Sequence, residues 1–177
     1  MNLVRDPHLL HPTWMEVDLD RLAHNVDEVR RVIGHDRKLI AVAKADAYGH
    51  GFLGVVPTMV DSGADVVALG DLNEAVKLRE AGCRAPLVLF GTYLPADAAE
   101  TVVEYGVIPT VWDVDGARAF SKVARGPLEV YLKVDTGLHR LGVLPVDAAK
   151  VAREIEDLPN LQIGCVYTHF GDPIKGE

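Results

Sequence analysis

An α/β fold built on a parallel sheet is predicted from three features of the chain. Apolar runs of strand length recur at even spacing, amphipathic helical stretches separate them, and short turns join the two. The strand runs are 39–43, 66–69, 87–90, 107–111, 128–134 and 161–167, six in all. Among the intervening stretches, 71–81 and 113–124 each open on an aspartate suited to N-capping, Asp71 and Asp113. Stretch 146–158 sets Ala148, Val151, Ala152 and Ile155 at helical spacing. Ahead of the first strand lie residues 14–20, beginning Trp14-Met15-Glu16, and then a predicted helix with Leu22, Val26, Val29 and Ile33 on one face. Short turns and even spacing favour a TIM-like (β/α) barrel over a doubly wound sheet, although periodicity alone separates these two poorly. No repeat, low-complexity tract or linker interrupts the chain, so one domain over residues 1–177 is the simplest organisation.

Composition narrows the class of function. Hydrophobic residues at 49% and charged residues at 25% are enough for a core, and no apolar run reaches the length of a membrane span. Residues 1–8 carry charge and proline where a signal peptide needs an apolar segment, which points to a soluble cytoplasmic protein. A net charge of -8 argues against nucleic-acid and anionic membrane partners, because phosphate binding requires clustered Lys and Arg. Cys83 and Cys165 fit no CxxC pattern and read as buried reduced thiols, and no metal site is visible.

The residue that carries most information is Lys44, in Val42-Ala43-Lys44-Ala45-Asp46-Ala47-Tyr48-Gly49-His50-Gly51. It closes the first strand run and precedes a glycine-bracketed loop leading toward a helix, where a parallel strand delivers a side chain to the active-site face. Burial there would disfavour the ammonium form, and a neutral amine can form a Schiff base with an aldehyde cofactor. Position alone favours a lysine that snorkels to solvent. The surrounding residues reverse that weighting, because AVAKADAYGHG resembles the signature of the alanine racemases, whose lysine carries pyridoxal 5'-phosphate (PLP) on the first strand of a (β/α) barrel. The resemblance decides for the barrel. It implies that Lys44 holds PLP and acts as a base, that Tyr48 hydrogen-bonds the cofactor phosphate, and that Gly49 and Gly51 supply positive φ angles.

A second stretch runs from Glu129 to Gly142. Strand alternation puts Leu128, Val130, Leu132 and Val134 on one face and Glu129, Tyr131, Lys133 and Asp135 on the other. In a barrel the apolar face meets the helices, so Lys133 points inward and needs a partner. The stretch is similar to the family's KxDTGxxRxG segment. There the matching lysine, often carbamylated, orients the matching arginine. Arg140 would thus contact the cofactor's phenolic oxygen and the substrate carboxylate, for which its fork of donors is suited. Tyr167-Thr168-His169-Phe170 resembles a further family segment, and His169 inherits a place beside the cofactor ring. His24, His35 and His50 read as ordinary polar residues, and His139 as solvent-exposed.

The resemblance covers nearly the whole chain but about half of a family member. Six strands leave a barrel of eight open, and the C-terminal β domain has no counterpart. Also lacking are a later phosphate-binding loop, an arginine for the pyridine nitrogen, and the tyrosine that serves as second base across the homodimer interface. The chain thus reads as a truncated or partner-completed racemase with little turnover by itself. The implied activity is interconversion of L- and D-alanine for peptidoglycan synthesis, with a small amino acid as substrate. Alternatives are another barrel-fold PLP racemase or decarboxylase, or a PLP-binding remnant without catalysis.

Overall fold

The six apolar runs become strands in the computed structural model, which describes residues 15–91 and 97–171. Residues 1–8 and Trp14 lie outside the described residues. Two compact units are present, Met1–Leu87 and Val88–Glu177.

In the first unit, α1 (Leu19–Ile33) is capped by Asp18, whose carboxylate accepts the Arg21 N–H. Val26 is buried and Leu22 and Ile33 half-buried, but Val29 is 45% exposed, so the apolar face is narrower than predicted. Residues 15–17 have no regular structure. Strand β1 (Ile40–Val42) pairs in parallel with β2 (Val66–Leu69), Ile40 opposite Val66. All four β2 residues are buried, as expected of a parallel strand covered on both faces. One staple holds the start of this pair. Arg30 donates to the carbonyls of Arg37 and Gly63 and to the Asp65 carboxylate, and Asp65 also accepts the Leu39 N–H at 2.6 Å. The residues after β1 form a single turn, α2 (Lys44–Gly49), followed by α3 (Phe52–Asp61). Helix α4 (Leu72–Glu80) is capped by Asp71 as predicted, with Asn73 N–H donating at 2.7 Å. Strand β3 (Leu87–Leu89) falls at the unit boundary.

The second unit contains α5 (Ala98–Glu104), then β4 (Val107–Ile108) and β5 (Thr110–Val111). The predicted continuous run 107–111 is split at Pro109, which has no N–H to donate to a ladder. Its carbonyl still accepts the Tyr131 N–H at 2.9 Å. Next come α6 (Val114–Val123), capped by Asp113 on the Gly116 N–H, β6 (Leu128–Val134), α7 (Pro145–Glu156) and β7 (Leu161–Thr168). Strands β5, β6 and β7 form a parallel sheet in that order. Between Val130 and Tyr131 the register with β7 shifts, leaving Gly164 as the extra residue of a bulge. A Cβ at Gly164 would run into the Glu129 side chain. Val130, Tyr131, Leu132 and Lys133 are all buried, so both faces of this strand are covered, as in β2, and Lys133 is enclosed as predicted. Cys83 and Cys165 are not joined in a disulfide and are half-buried, where burial was predicted. Among the described residues, no helix is long and apolar enough to cross a membrane.

Candidate active site

Lys44 sits directly beyond the end of β1. Ala43, fully buried before it, donates its N–H to Ala68 O at 2.8 Å and so fixes the strand end on β2. The Lys44 stem lies against Gly70, where an added Cβ would be 3.2 Å from Lys44 Cβ, so the backbone of residue 70 makes room for it. Lys44 is half-buried, short of the burial predicted for it. Its Nζ stands 5.9 Å from the centre of the Tyr48 ring, within cation-π range, and Tyr48 is 60% exposed. The structure thus brings these two predicted residues together.

The segment after Lys44, predicted as a loop, is a left-handed helical turn. Ala45, Asp46, Ala47 and Tyr48 have φ between 52° and 56°, and Gly49 and Gly51 have φ of 86° and 82°. The glycines adopt positive φ as predicted, but four residues with side chains adopt it too. Each L-residue held there costs roughly 1–2 kcal/mol, so the turn persists only if its surroundings over-determine it. Several hydrogen bonds do so: Ala47 N–H to Ala43 O, Gly51 N–H to Asp46 O, Phe52 N–H to the Asp46 carboxylate, and Asp46 N–H to the Glu74 carboxylate. His50 Nδ1 adds a contact to Ala47 O at 2.8 Å. A cavity of about 410 Å³ opens beside this turn, lined by Asp18, Arg21, Val42, Tyr48 and His50 among others; Lys44 does not line it.

The second unit gathers the other predicted residues. Lys133 is 4% exposed, the one charged side chain buried to that degree among the described residues. Its Nζ lies 5.8 Å from the Tyr167 ring centre, and Tyr167 stacks on Phe90 at 4.8 Å between centroids. The Tyr167 hydroxyl shares a hydrogen bond with Thr110 Oγ1 at 3.0 Å, and burial pushes its pKa up to about 12. At Gly91, with φ of 49°, an added Cβ would be 3.1 Å from Lys133 Nζ, so this glycine leaves the amine its space.

Arg140 is exposed on a loop running from β6 to Val143, closed at its neck by Asp135 N–H to Val143 O and Val143 N–H to Lys133 O. Inside the loop, Asp135 Oδ1 accepts the N–H groups of Gly137 and His139, and these bonds hold its carboxyl below the usual range. His139 is exposed as predicted, yet it has φ of 55° and its ring lies 3.4 Å from Asp135, so it shapes the loop that presents Arg140. The Arg140 charge favours ionised Tyr167, against the effect of burial. His169, also exposed, comes directly after β7, whose last residue Thr168 hydrogen-bonds Thr136 at 2.6 Å. Gly171 lies so close to Gly137 that a Cβ would sit 2.7 Å from the Gly137 carbonyl. The Arg140 loop, the Lys133 strand and the His169 segment are therefore neighbours. Sequence reasoning missed Glu74, Gly70, Gly91 and Thr110. Only the glycines, each directly after an apolar strand run, carried a local signal.

The Lys44 amine, packed on glycine and facing a phenol, is chemically suited to an aldehyde-bearing, phosphorylated cofactor. Residues 17–174 match the family model described as "Alanine racemase, N-terminal domain". The alanine racemase of Clostridium tetani is 37% identical over 166 residues, covering 91% of this chain and 42% of that protein. The chain thus spans less than half the length of such curated relatives. Among solved structures, alanine racemase from Clostridium difficile 630 superposes with a TM-score of 0.86 at 29% identity, over 92% of this chain and 43% of that one. A second structure of that protein is a complex with cycloserine, with a TM-score of 0.84 at 28% identity over 92% and 45%. Alanine racemase from Bacillus anthracis with bound L-Ala-P reaches 0.78 at 29% identity over 90% and 43%. With parallel α/β architecture, the fold class of a partial TIM-like barrel and this match, the chain belongs to the alanine racemase family, of which it represents the N-terminal domain.

Proposed function

We propose that the protein is the cofactor-bearing part of a PLP-dependent alanine racemase, which interconverts L- and D-alanine and supplies the D-isomer for peptidoglycan in the cytoplasm. The observation that supports this reading is the position of Lys44 at a parallel strand end, followed by a left-handed turn. Lys44 would hold PLP covalently and Tyr48 would donate its hydroxyl to the cofactor phosphate. PLP, when bound, supplies an electron sink that makes the substrate α-proton acidic. Once the substrate amine has taken its place on the cofactor, the released Lys44 Nζ would accept or return that proton on one face of the α-carbon, and a base on the opposite face would do the reverse. Arg140 binds the substrate carboxylate through its paired donors, Lys133 acts on it as a positioning residue, and His169 borders the cofactor ring. Cycloserine and L-Ala-P, named for two solved relatives, are small ligands in keeping with an amino-acid substrate. The family resemblance supports a homodimer in which the second base comes from the other subunit.

The test is reduction of the PLP-treated protein with borohydride and mapping of the adduct by mass spectrometry. Lys44 should carry it, and Lys44→Ala should remove it together with the visible absorption of the complex. An adduct on a different lysine would overturn the assignment.

A further inference from the structure

Glu74 occupies the third position of α4, three residues after the N-cap Asp71, where a glutamate ordinarily reaches back to the N-cap amide. Here it serves another segment. Its Oε1 accepts the Asp46 N–H at 2.7 Å across 28 residues of sequence, while Oε2 is buried and takes no hydrogen bond from the described residues. Asp46 is held at two further points, its carbonyl accepting Gly51 N–H at 3.0 Å and its carboxylate accepting Phe52 N–H at 2.9 Å. Those two bonds are local to the turn and α3; the bond from Glu74 ties the turn to a separate helix. A left-handed run of four residues with side chains does not sustain itself, and Asp46 lies in its middle. Lys44 is the residue from which the turn departs, so the path of residues 45–48 constrains the position of its carbonyl carbon and, through it, the orientation of the Lys44 Cα.

We propose that Glu74, acting through Asp46, is a positioning residue for Lys44: its carboxylate locks the left-handed turn and thereby fixes the approach of the Lys44 amine to the cofactor. The inference rests on the reading of Lys44 as the PLP-bearing lysine. Glutamine at 74 offers the same acceptor oxygen, whereas alanine removes it. Glycine at 45 adopts positive φ without steric penalty, so it relieves the need for the lock.

The experiment compares the 177-residue chain with Glu74→Ala, Glu74→Gln and the double variant Ala45→Gly/Glu74→Ala. Amide hydrogen exchange is monitored by NMR, and PLP adducts are trapped with borohydride and expressed as Lys44 relative to the exposed Lys77 and Lys150. In Glu74→Ala the Asp46 amide should exchange on the order of tenfold faster, as loss of a hydrogen bond to a charged acceptor implies, with α1 amides unchanged. The Lys44 share of adduct should fall by a similar factor. Glu74→Gln should retain both signals and the double variant should recover the adduct, which a general loss of stability would not do. Should Glu74→Ala fail to fold, the glutamine and double variants decide: retained and recovered adduct supports the proposal, and loss in both overturns it. Wild-type exchange and adduct in Glu74→Ala overturn the positioning role alone. Absence of any Lys44 adduct in the wild-type chain overturns the cofactor reading, and the positioning role with it, whatever the exchange pattern shows.

Discussion

The turn after Lys44 and the cluster around Lys133 each place a lysine, by opposite means. Lys44 is half-buried and directed by backbone: four residues in a costly conformation, held by carboxylates and carbonyls. Lys133 is buried and directed by packing: aromatic rings, a strand pair and a glycine that leaves it space. A site built on backbone strain is sensitive to local conformational preference and a packed site to volume, so glycine has opposite value in the two places.

Three substitutions test that contrast. Gly142, with φ of 135°, would put a Cβ 2.5 Å from Asp135 N and 2.8 Å from the Val134 carbonyl carbon, both backbone atoms at the neck of the Arg140 loop. Gly142→Ala should therefore be the most damaging, at about 3 kcal/mol or more from combined strain and overlap, read as a lower denaturation midpoint. Gly91→Ala should cost about 2 kcal/mol, from positive φ and crowding of the Lys133 amine. Ala45→Gly should move the other way and stabilise by about 0.5–1 kcal/mol, the relief of left-handed strain exceeding the entropy added to the unfolded chain. Destabilisation by Ala45→Gly in the same melts would contradict a strained turn.

Acid and alkali separate the regions further. Asp65, at the base of the Lys44 strand pair, has its carboxyl held down by the Leu39 N–H and by Arg30, and Asp135 by the N–H groups of His139 and Gly137. Both folded pKa values lie below the unfolded one, so each contribution is complete above the unfolded value of about 3.9 and lost as pH falls through the folded value. Tyr167 has the reverse sign. Its folded pKa, at about 12, lies above the unfolded value near 10, so its contribution is complete below that value and disappears as pH rises through the folded one. Asp65→Asn and Asp135→Asn should each flatten the acid limb of a stability profile, and Tyr167→Phe the alkaline limb alone. An alkaline limb unchanged in Tyr167→Phe would remove the buried hydroxyl from this account.

Much of this could be read in advance because its causes are local. Strand runs arise from apolar residues, the Asp71 and Asp113 caps from a side chain bonding its own helix, and the Lys44–Tyr48 pairing from a compact motif. The parts that escaped have causes far away in sequence. Alanine has no preference for the left-handed region, so nothing in Ala45 or Ala47 announces the turn; Glu74, on another helix, helps impose it. Gly164 is the extra residue of a bulge in β7, and only the pairing with β6 reveals it. Pro109 was visible, and a stricter reading of its missing N–H would have divided the run 107–111.

The left-handed turn also changes what its motif means. Of the letters A-D-A-Y after Lys44, none is branched at Cβ, and a branched side chain is what this backbone would tolerate least. The string that resembles the family signature is thus, in the stretch after its lysine, a record of handedness: the proposed chemistry accounts for the lysine and the tyrosine hydroxyl, while chirality restricts the vocabulary available to the positions between them.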